Sequence, residues 1–454
     1  MAAPSAALQA PSEWVAAFAE RTGGGDRPWA PPAGVNRLLE DLARPGAGEP
    51  WLVGGCVRDA LLGREPKDLD VVMVGATEDG LLGALPLQKV GKSFPVFGYM
   101  DPDLGRIEIA LPRRETKVAP GHTGFDCEVV QDLQEDLLRR DLTINAVAWN
   151  PHKGFQWPTP EGPRDFDSRT LRHVSPAFGE DPLRVFRLAR FAAQLGPEWQ
   201  VAPETVALVK GMAGTLRELP KDRIREELAK ALASSFPSRF FEVLREVDAL
   251  EHWFPEVQAL IGVDHGVTHH PEGDAWAHTL MVLDRARQPD LDCSPVEMLA
   301  ALGHDFGKAL IDPALYPKMH GHADLAEAPI KAFCARLGIG AEPEMIKVAR
   351  HHHSLHRFDE VRGGTAAELV RTFRRGRLGP EGFARVCQAD AQGRGGGCAE
   401  EPYSTAPLFL QVEKALGELD FSDCQGDPNR IHQRQAETAA RIMKAARRNT
   451  GGAE

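Results

Sequence analysis

Paired cysteine is missing from this sequence. Its seven cysteines, at 56, 127, 293, 334, 387, 398 and 424, are odd in number and never fall in a CxxC pair. That pattern excludes a disulfide framework and a cysteine zinc site, and it points to a reducing compartment. No uninterrupted apolar stretch approaches the length of a membrane span, so no membrane partner is expected. The opening run MAAPSAALQAPSEW lacks the basic and apolar regions of a secretory signal, which makes a cytoplasmic location the expectation. There is no internal repeat and no long low-complexity tract. Positive charge is in deficit too: 53 Lys+Arg stand against 65 Asp+Glu, a formal net charge of −12. That balance excludes a protein that coats nucleic acid or an anionic membrane with its whole surface. It leaves room for local basic tracks, and arginines do gather at 113–114, 139–140, 184–190, 371–377 and 447–448.

What is present is ample core material: 454 residues, 43% of them hydrophobic, enough for two to four domains. Residues 1–49 are rich in Ala, Pro and Gly and read as an N-terminal extension, partly disordered, with short helices at about 12–20 and 34–43. Residues 50–175 read as an α/β head. WLVGG and DLDVVMVG are short apolar runs that suit buried strands, VRDALLG between them has helical spacing and stops at Gly63, and RIEIAL alternates as a strand should. DLTINAVAWN is a further strand or short helix. From Asp181 the pattern becomes helical, giving an all-α neck at 176–255, a helical domain at 256–400 and a helical tail at 401–454.

Asp68 and Asp70 precede Val71-Val72-Met73-Val74. Residues two apart in a strand share a side, so the two carboxylates stand together, and their repulsion is relieved by a hard cation such as Mg²⁺ with a triphosphate. An isolated DxD is usually a solvated turn. Here Gly54-Gly55 ends the preceding strand and opens a helix, so a phosphate can approach both the bare backbone and the helix N-terminus, with Arg58 in reach. Glu108 in RIEIAL is a candidate third carboxylate or a strand-edge charge. Further on, Asp181 before Pro182 is a good N-cap with proline at the first helical position, and Arg184, Arg187 and Arg190 recur along one helix, by default as a solvated stripe. Residues 265–390 hold most of the sixteen histidines. A lone helical histidine is usually structural. His278, the adjacent His304-Asp305 pair and Asp390 on successive helices instead make a site for a borderline divalent metal.

The run LVGGCVRDALLG…KDLDVVMVG resembles the head domain of class II tRNA nucleotidyltransferases and bacterial poly(A) polymerases, in the polymerase-β-like superfamily. The resemblance implies an α/β nucleotidyltransferase head followed by an all-α neck. It also implies Mg²⁺ at Asp68 and Asp70 to activate the RNA 3′-hydroxyl and neutralise the triphosphate. RRDLTINA resembles the family's second motif, which assigns Arg140 to sugar and phosphates and Asp141 and Asn145 to positioning ribose and backbone. EDPLR resembles the element that tells CTP and ATP from other nucleotides. Asp181 and Arg184 match the groups that hydrogen-bond the base edge, and Arg187 would reach phosphates or orient Arg184.

The histidine pattern resembles the HD phosphohydrolase domain. That resemblance implies His278, His304, Asp305 and Asp390 as ligands of a transition metal of the Ni, Co or Mn type, with His322 and His352 as accessory ligands or phosphate contacts. Its substrates would be phosphate monoesters or 2′,3′-cyclic phosphates. His351 and His353 have no counterpart and read as solvated.

The likeness runs over roughly 50–450 and is nearest to the bacterial branch that joins head, neck and HD domain. It implies CCA addition to tRNA from CTP and ATP, no DNA partner, and a monomer or dimer. The extension of about 50 residues and the arginines of LPRRETK depart from the pattern. Three alternatives stand: CC-only or A-only addition; a poly(A) polymerase, disfavoured by the HD domain; and an HD phosphohydrolase whose head merely binds tRNA. The segment from Gly98 to Asp126 is expected to hold the mobile loop that lets one site add both bases.

Overall fold

A computed structural model describes residue 31 and residues 34–66, 68–90, 95–117, 125–266, 270–424 and 426–450. The helix expected at 12–20 lies outside the described residues. Two compact units emerge, one holding residues up to 188 and 198–219, the other holding 189–197 and 220 onward.

The first unit is built on a mixed sheet. Its strands are β1 (Glu49–Val53), β2 (Asp70–Val74), β3 (Gln88–Lys89), β4 (Val96–Asp101) and β5 (Gly105–Ala110), joined later in the chain by β8 (Ala148–Asn150) and β9 (Gly154–Gln156). Between β5 and β8 in the chain, β6 (Arg113–Lys117) and β7 (Phe125–Val129) lie outside it and pair as an antiparallel hairpin. The order is β3-β4-β5-β2-β1-β8-β9, with β2–β5 parallel and its other strand pairs antiparallel. Parallel neighbours need a crossover, and residues 75–104 supply it. Val53, Trp51, Val72 and Ala148 pack on Leu133 and Leu137 of the helix Leu133–Leu138, a core that fixes the strand ends.

Part of the segment read as an extension belongs to this unit. The helix Val35–Leu42 buries Val35, Leu38, Leu39 and Leu42 completely or nearly so, and Arg37 donates to Asp101 at 2.9 Å. DLTINAVAWN proves to be both alternatives in turn, a 3-10 turn at Thr143–Asn145 and then β8. Within the segment expected to hold the mobile loop, residues 98–117 are strands and tight turns, and 118–124 lie outside the described residues. The helical reading after Asp181 holds apart from the short strand β11 (Gln200–Val201), which pairs with β10 (Thr170–Leu171).

The second unit is helical, as the sequence pattern requires. Ala275–Ala286, Pro295–Gly303, Glu342–His356 and Gly379–Gln392 are the helices that carry its polar cluster. Local signals set their starts: Asp274 accepts from the Ala277 N–H at 2.8 Å, and Ser294 with Glu297 forms a capping box. Phe240, Phe241 and Phe254 meet edge to face with centroids 5.3–5.7 Å apart.

Candidate functional site

Each unit carries one polar cluster. In the first, β2 and β5 lie in parallel register with Asp70 opposite Glu108, so both carboxylates share a side of the sheet. Asp68 sits two residues before Asp70 and is exposed. Burial pushes the Asp70 carboxyl above its ordinary value; Arg140 pulls the other way, and Glu108 and Asp68 add to the rise. A largely buried carboxyl that resists ionisation, with two further carboxylates adding to the effect, is a donor set that a hard divalent cation relieves.

Gly54 is at φ +77°, a conformation that β-carbons disfavour, and a Cβ there would fall 2.6 Å from Nη1 of Arg140. The glycine therefore lets Arg140 lie directly over the turn that opens the helix Gly55–Leu61. Arg140 donates to Asp136 at 3.0 Å, and Arg139 donates to the other oxygen of the same carboxylate at 2.8 Å. Burial opposes ionisation of Asp136, but the charges of Arg140 and Arg139 outweigh it and hold the carboxyl below its usual range.

Arg58 is not turned to open solvent. It is buried, donating to Asn145 at 2.6 Å and to Asp59 at 2.8 Å. Asn145 donates onward to Asp141 at 3.0 Å, and Asp141 accepts from Arg187 at 2.7 Å. Burial resists charge on Asp141, yet Arg187 first and then Asn145 keep its carboxyl far below the ordinary range. Arg58, Asn145, Asp141 and the partly exposed Arg187 are thus one relay that joins the glycine turn, the second motif and the helix Leu183–Leu195.

Asp181 caps that helix by accepting from the Leu183 N–H at 3.1 Å. Arg184 donates to the carbonyls of Ala177 at 2.8 Å and Arg139 at 2.7 Å. Gly55 stands beside Arg58, with room for a Cβ at 3.6 Å. Arg114 of LPRRETK pairs with Glu135. Asp136 was not among the residues the sequence singled out; its signal was position, three and four residues before the arginine pair on one helical turn.

The second cluster draws together His278, His304, Asp305 and Asp390, all buried. His278 Nε2 lies 3.0 Å from Asp390 and 3.8 Å from Asp305; His304 Nε2 lies 3.2 Å from Asp305 and 3.7 Å from Asp390. Three rings share one device. Nδ1 of His304 donates to the Ala301 carbonyl (2.7 Å), that of His322 to Met319 (2.6 Å) and that of His352 to Ala349 (2.9 Å). With Nδ1 committed to a carbonyl, each Nε2 is turned toward Asp305, at 3.6 Å for His322 and 3.8 Å for His352.

Neither oxygen of Asp305 accepts a well-aligned hydrogen bond, although Lys308 Nζ stands 2.7 Å away. Burial pushes the His304 imidazole down, but Asp305 and Asp390 outweigh it and raise it to about 9. Imidazole nitrogens and two carboxylates around one point, with both oxygens of Asp305 unsatisfied, fit a borderline divalent metal.

His353, expected to be solvated, instead brings its Nε2 to 3.2 Å from that of His322, and His351 packs edge-on against Phe373. Gly307 keeps this corner tight, since a Cβ there would overlap the His322 carbonyl. His356 was missed: its Nε2 is 2.7 Å from Asp390 and its Nδ1 2.9 Å from the Tyr403 hydroxyl. The signal was available, because His352 and His356 lie four apart on one helical face. Lys308, one helical turn past His304, was missed on the same ground.

The family described as poly A polymerase head domain matches residues 50–172, and the one described as probable RNA and SrmB-binding site of polymerase A matches 199–261. A multifunctional CCA protein from Methylococcus capsulatus is 42% identical over 385 residues, covering 82% of this chain and 88% of the relative. One from Xanthomonas oryzae is 40% identical over 419 residues, covering 88% and 99%. A solved CCA-adding enzyme in apo form has TM-score 0.65 at 20% identity, covering 94% of this chain and 95% of its own. The Thermotoga maritima CCA-adding enzyme complexed with tRNA has TM-score 0.60 at 19% identity, covering 95% and 98%. The solved structures share the fold; the sequence relatives, alike over most of both chains, carry the assignment, and this chain belongs to the multifunctional CCA protein family.

Proposed function

We propose that the chain adds and repairs the 3′-terminal CCA of tRNA from CTP and ATP at the head cluster, and that the histidine cluster is a separate metal-dependent phosphohydrolase site. The observation that carries the first part is Asp70 in register with Glu108, beside Asp68 and under the influence of Arg140. Relatives that bear the CCA name, and solved homologues in complex with CTP, ATP and tRNA, support the same reading.

In the reaction the tRNA 3′-oxygen bonds to the α-phosphorus of the incoming nucleotide, and the bond to the bridging oxygen breaks, releasing pyrophosphate. Asp68 and Asp70, with Glu108 beside them, would hold Mg²⁺, which supplies charge neutralisation and makes the attacking hydroxyl more acidic. Gly54 and the start of its helix give the triphosphate close access to backbone N–H groups. Arg140 contributes charge at the phosphates. Arg58 acts at one remove, holding Asn145 and through it Asp141 in place for the sugar. Asp181 and Arg184 read the base edge. Arg184 is fastened to two backbone carbonyls, so the reader is ordered before a nucleotide arrives. On this reading residues 50–175 are the head, 176–255 the selecting and tRNA-contacting neck, and 256–400 the HD domain.

At the second cluster His278, His304, Asp305 and Asp390 would hold a transition metal, with His322 and His352 as further donors. The metal would supply an activated water for phosphate monoesters or 2′,3′-cyclic phosphates.

Transcripts of tRNA ending before CCA, after C and after CC, offered CTP and ATP singly and together, test the first part. Complete repair of every end is expected. Arrest at CC, or extension of the CC end alone, would replace CCA addition with a partial activity, and long adenylate tails would indicate a polymerase. Replacing Asp68 and Asp70 together by alanine should abolish addition and leave hydrolysis of a 2′,3′-cyclic nucleotide intact. Loss of both activities would contradict separate sites.

A further inference from the structure

Glu272 has no part in the cluster as read from the sequence, yet three histidines converge on it. Its side chain is buried. One oxygen lies 2.9 Å from Nδ1 of His278, 2.9 Å from Nδ1 of His270 and 3.9 Å from Nε2 of His265. The other accepts the Gly395 N–H at 3.0 Å. His270 Nδ1 and the Gly395 N–H hydrogen-bond this carboxylate, and His278 Nδ1 lies within reach of it at 2.9 Å without full hydrogen-bond alignment.

His278 differs from the other ring ligands in one respect. His304, His322 and His352 donate Nδ1–H to carbonyls on their own local turns, so secondary structure alone sets their tautomer. His278 lies within the helix Ala275–Ala286, and its Nδ1 faces a carboxylate six residues upstream, before the helix begins.

We infer that Glu272 is a positioning residue that keeps a proton on Nδ1 of His278, so that Nε2, which here donates to Asp390 at 3.0 Å, can give up its own proton and bind a metal between Asp305 and Asp390. A carboxylate behind a ligating imidazole fixes the ring and raises its basicity, and losing it typically costs about 10–100-fold in metal affinity. The inference rests on the reading of the cluster as a metal site. The network also closes on itself: Lys308 Nζ is 3.0 Å from His265 Nδ1 and 2.7 Å from Asp305, and the His265 and His270 rings stack at 3.7 Å. Glu272 therefore steadies two sides of the cluster at once.

Glu272→Gln is close to isosteric but reverses the chemistry. If its oxygen keeps the Gly395 N–H, its amide NH₂ faces His270 and His278, and His278 must move its proton to Nε2. In the opposite orientation two N–H groups, from Gln and Gly395, oppose each other. The test uses the full chain in excess Mg²⁺, which saturates hard carboxylate sites, with Ni²⁺ binding measured by competition against a chelator. Nickel affinity should fall about 10–100-fold in the variant, and affinity within twofold of the parent would overturn the inference.

A second measurement needs no variant. Two-bond ¹⁵N–¹H spectra of the parent, with His278 assigned by the loss of its signals in His278→Gln, should show a proton on Nδ1 both without metal and with Zn²⁺. A bare Nδ1 overturns the inference even if Glu272→Gln fails to fold. If the parent binds neither Ni²⁺ nor Zn²⁺, the metal reading itself falls, and the Nδ1 result still decides the role of Glu272.

Discussion

At the scale of single residues, the head depends on carboxylates that never touch a ligand. Asp136 is wholly buried between Arg139 and Arg140. Its folded carboxyl sits below the ordinary value, so the stability it contributes is complete above the ordinary carboxylate range, near pH 3.9, and is lost as pH falls through the folded value. Asp136→Asn should destabilise the head by about 3–5 kcal/mol at neutral pH, because two guanidiniums lose their partner. The gap from the parent should shrink in acid. Urea unfolding at a series of pH values measures both, and a gap that grows on acidification would reverse the assignment.

Residues of this kind were hidden in the sequence for a physical reason. Asp68, Asp70, His304 and Asp305 stand out because adjacency or strand period alone brings them together. Glu272 matters through partners that only the folded chain supplies, and Asp136, whose arginines lie one helical turn away, through a burial that the sequence does not display. Arg58 shows the converse: its proximity to the glycine turn was readable, but the buried bond to Asn145, 87 positions away, was not.

At the scale of elements, most of the head was legible because its strands are short apolar runs between glycines and charges. The helix Val35–Leu42 was readable as a helix but not as part of the head, since its partner Asp101 lies 64 residues on. The histidine cluster relies on one tight turn, where Gly307 abuts the backbone at His322. Gly307→Ala should separate the His322 turn from Asp305, costing more than about 4 kcal/mol if the clash is not relieved. Weakened Ni²⁺ binding with lowered thermal stability is the expected result. Unchanged binding would mean that the two turns are not mutually fixed.

At the scale of the whole molecule, a net charge of −12 must coexist with a polyanionic partner. Affinity for tRNA follows the phosphates actually neutralised, with log K falling by roughly 0.7–0.9 per contact for each tenfold rise in salt. Binding should therefore weaken steeply between 50 and 200 mM salt, a range in which about 6–10 phosphate contacts lose 10³–10⁵ in affinity. It should remain poor for unstructured RNA throughout. A salt-insensitive binding curve, measured by filter retention, would contradict recognition by local arginine tracks. Among the described residues no helix is long and apolar enough to cross a membrane.

The parallel pairing of β2 with β5 has a consequence for how the chain acquires its activity. β1 with β2, and β3 with β4 and β5, can each form from near neighbours in sequence, whereas the seam between them closes only after the 75–104 crossover has been laid down. Contacts of greater sequence separation form against a larger loop entropy. Asp70 and Glu108 face each other across that seam. By that ordering the local strand pairs precede the seam, and the Asp70–Glu108 juxtaposition is among the last features of the sheet to form.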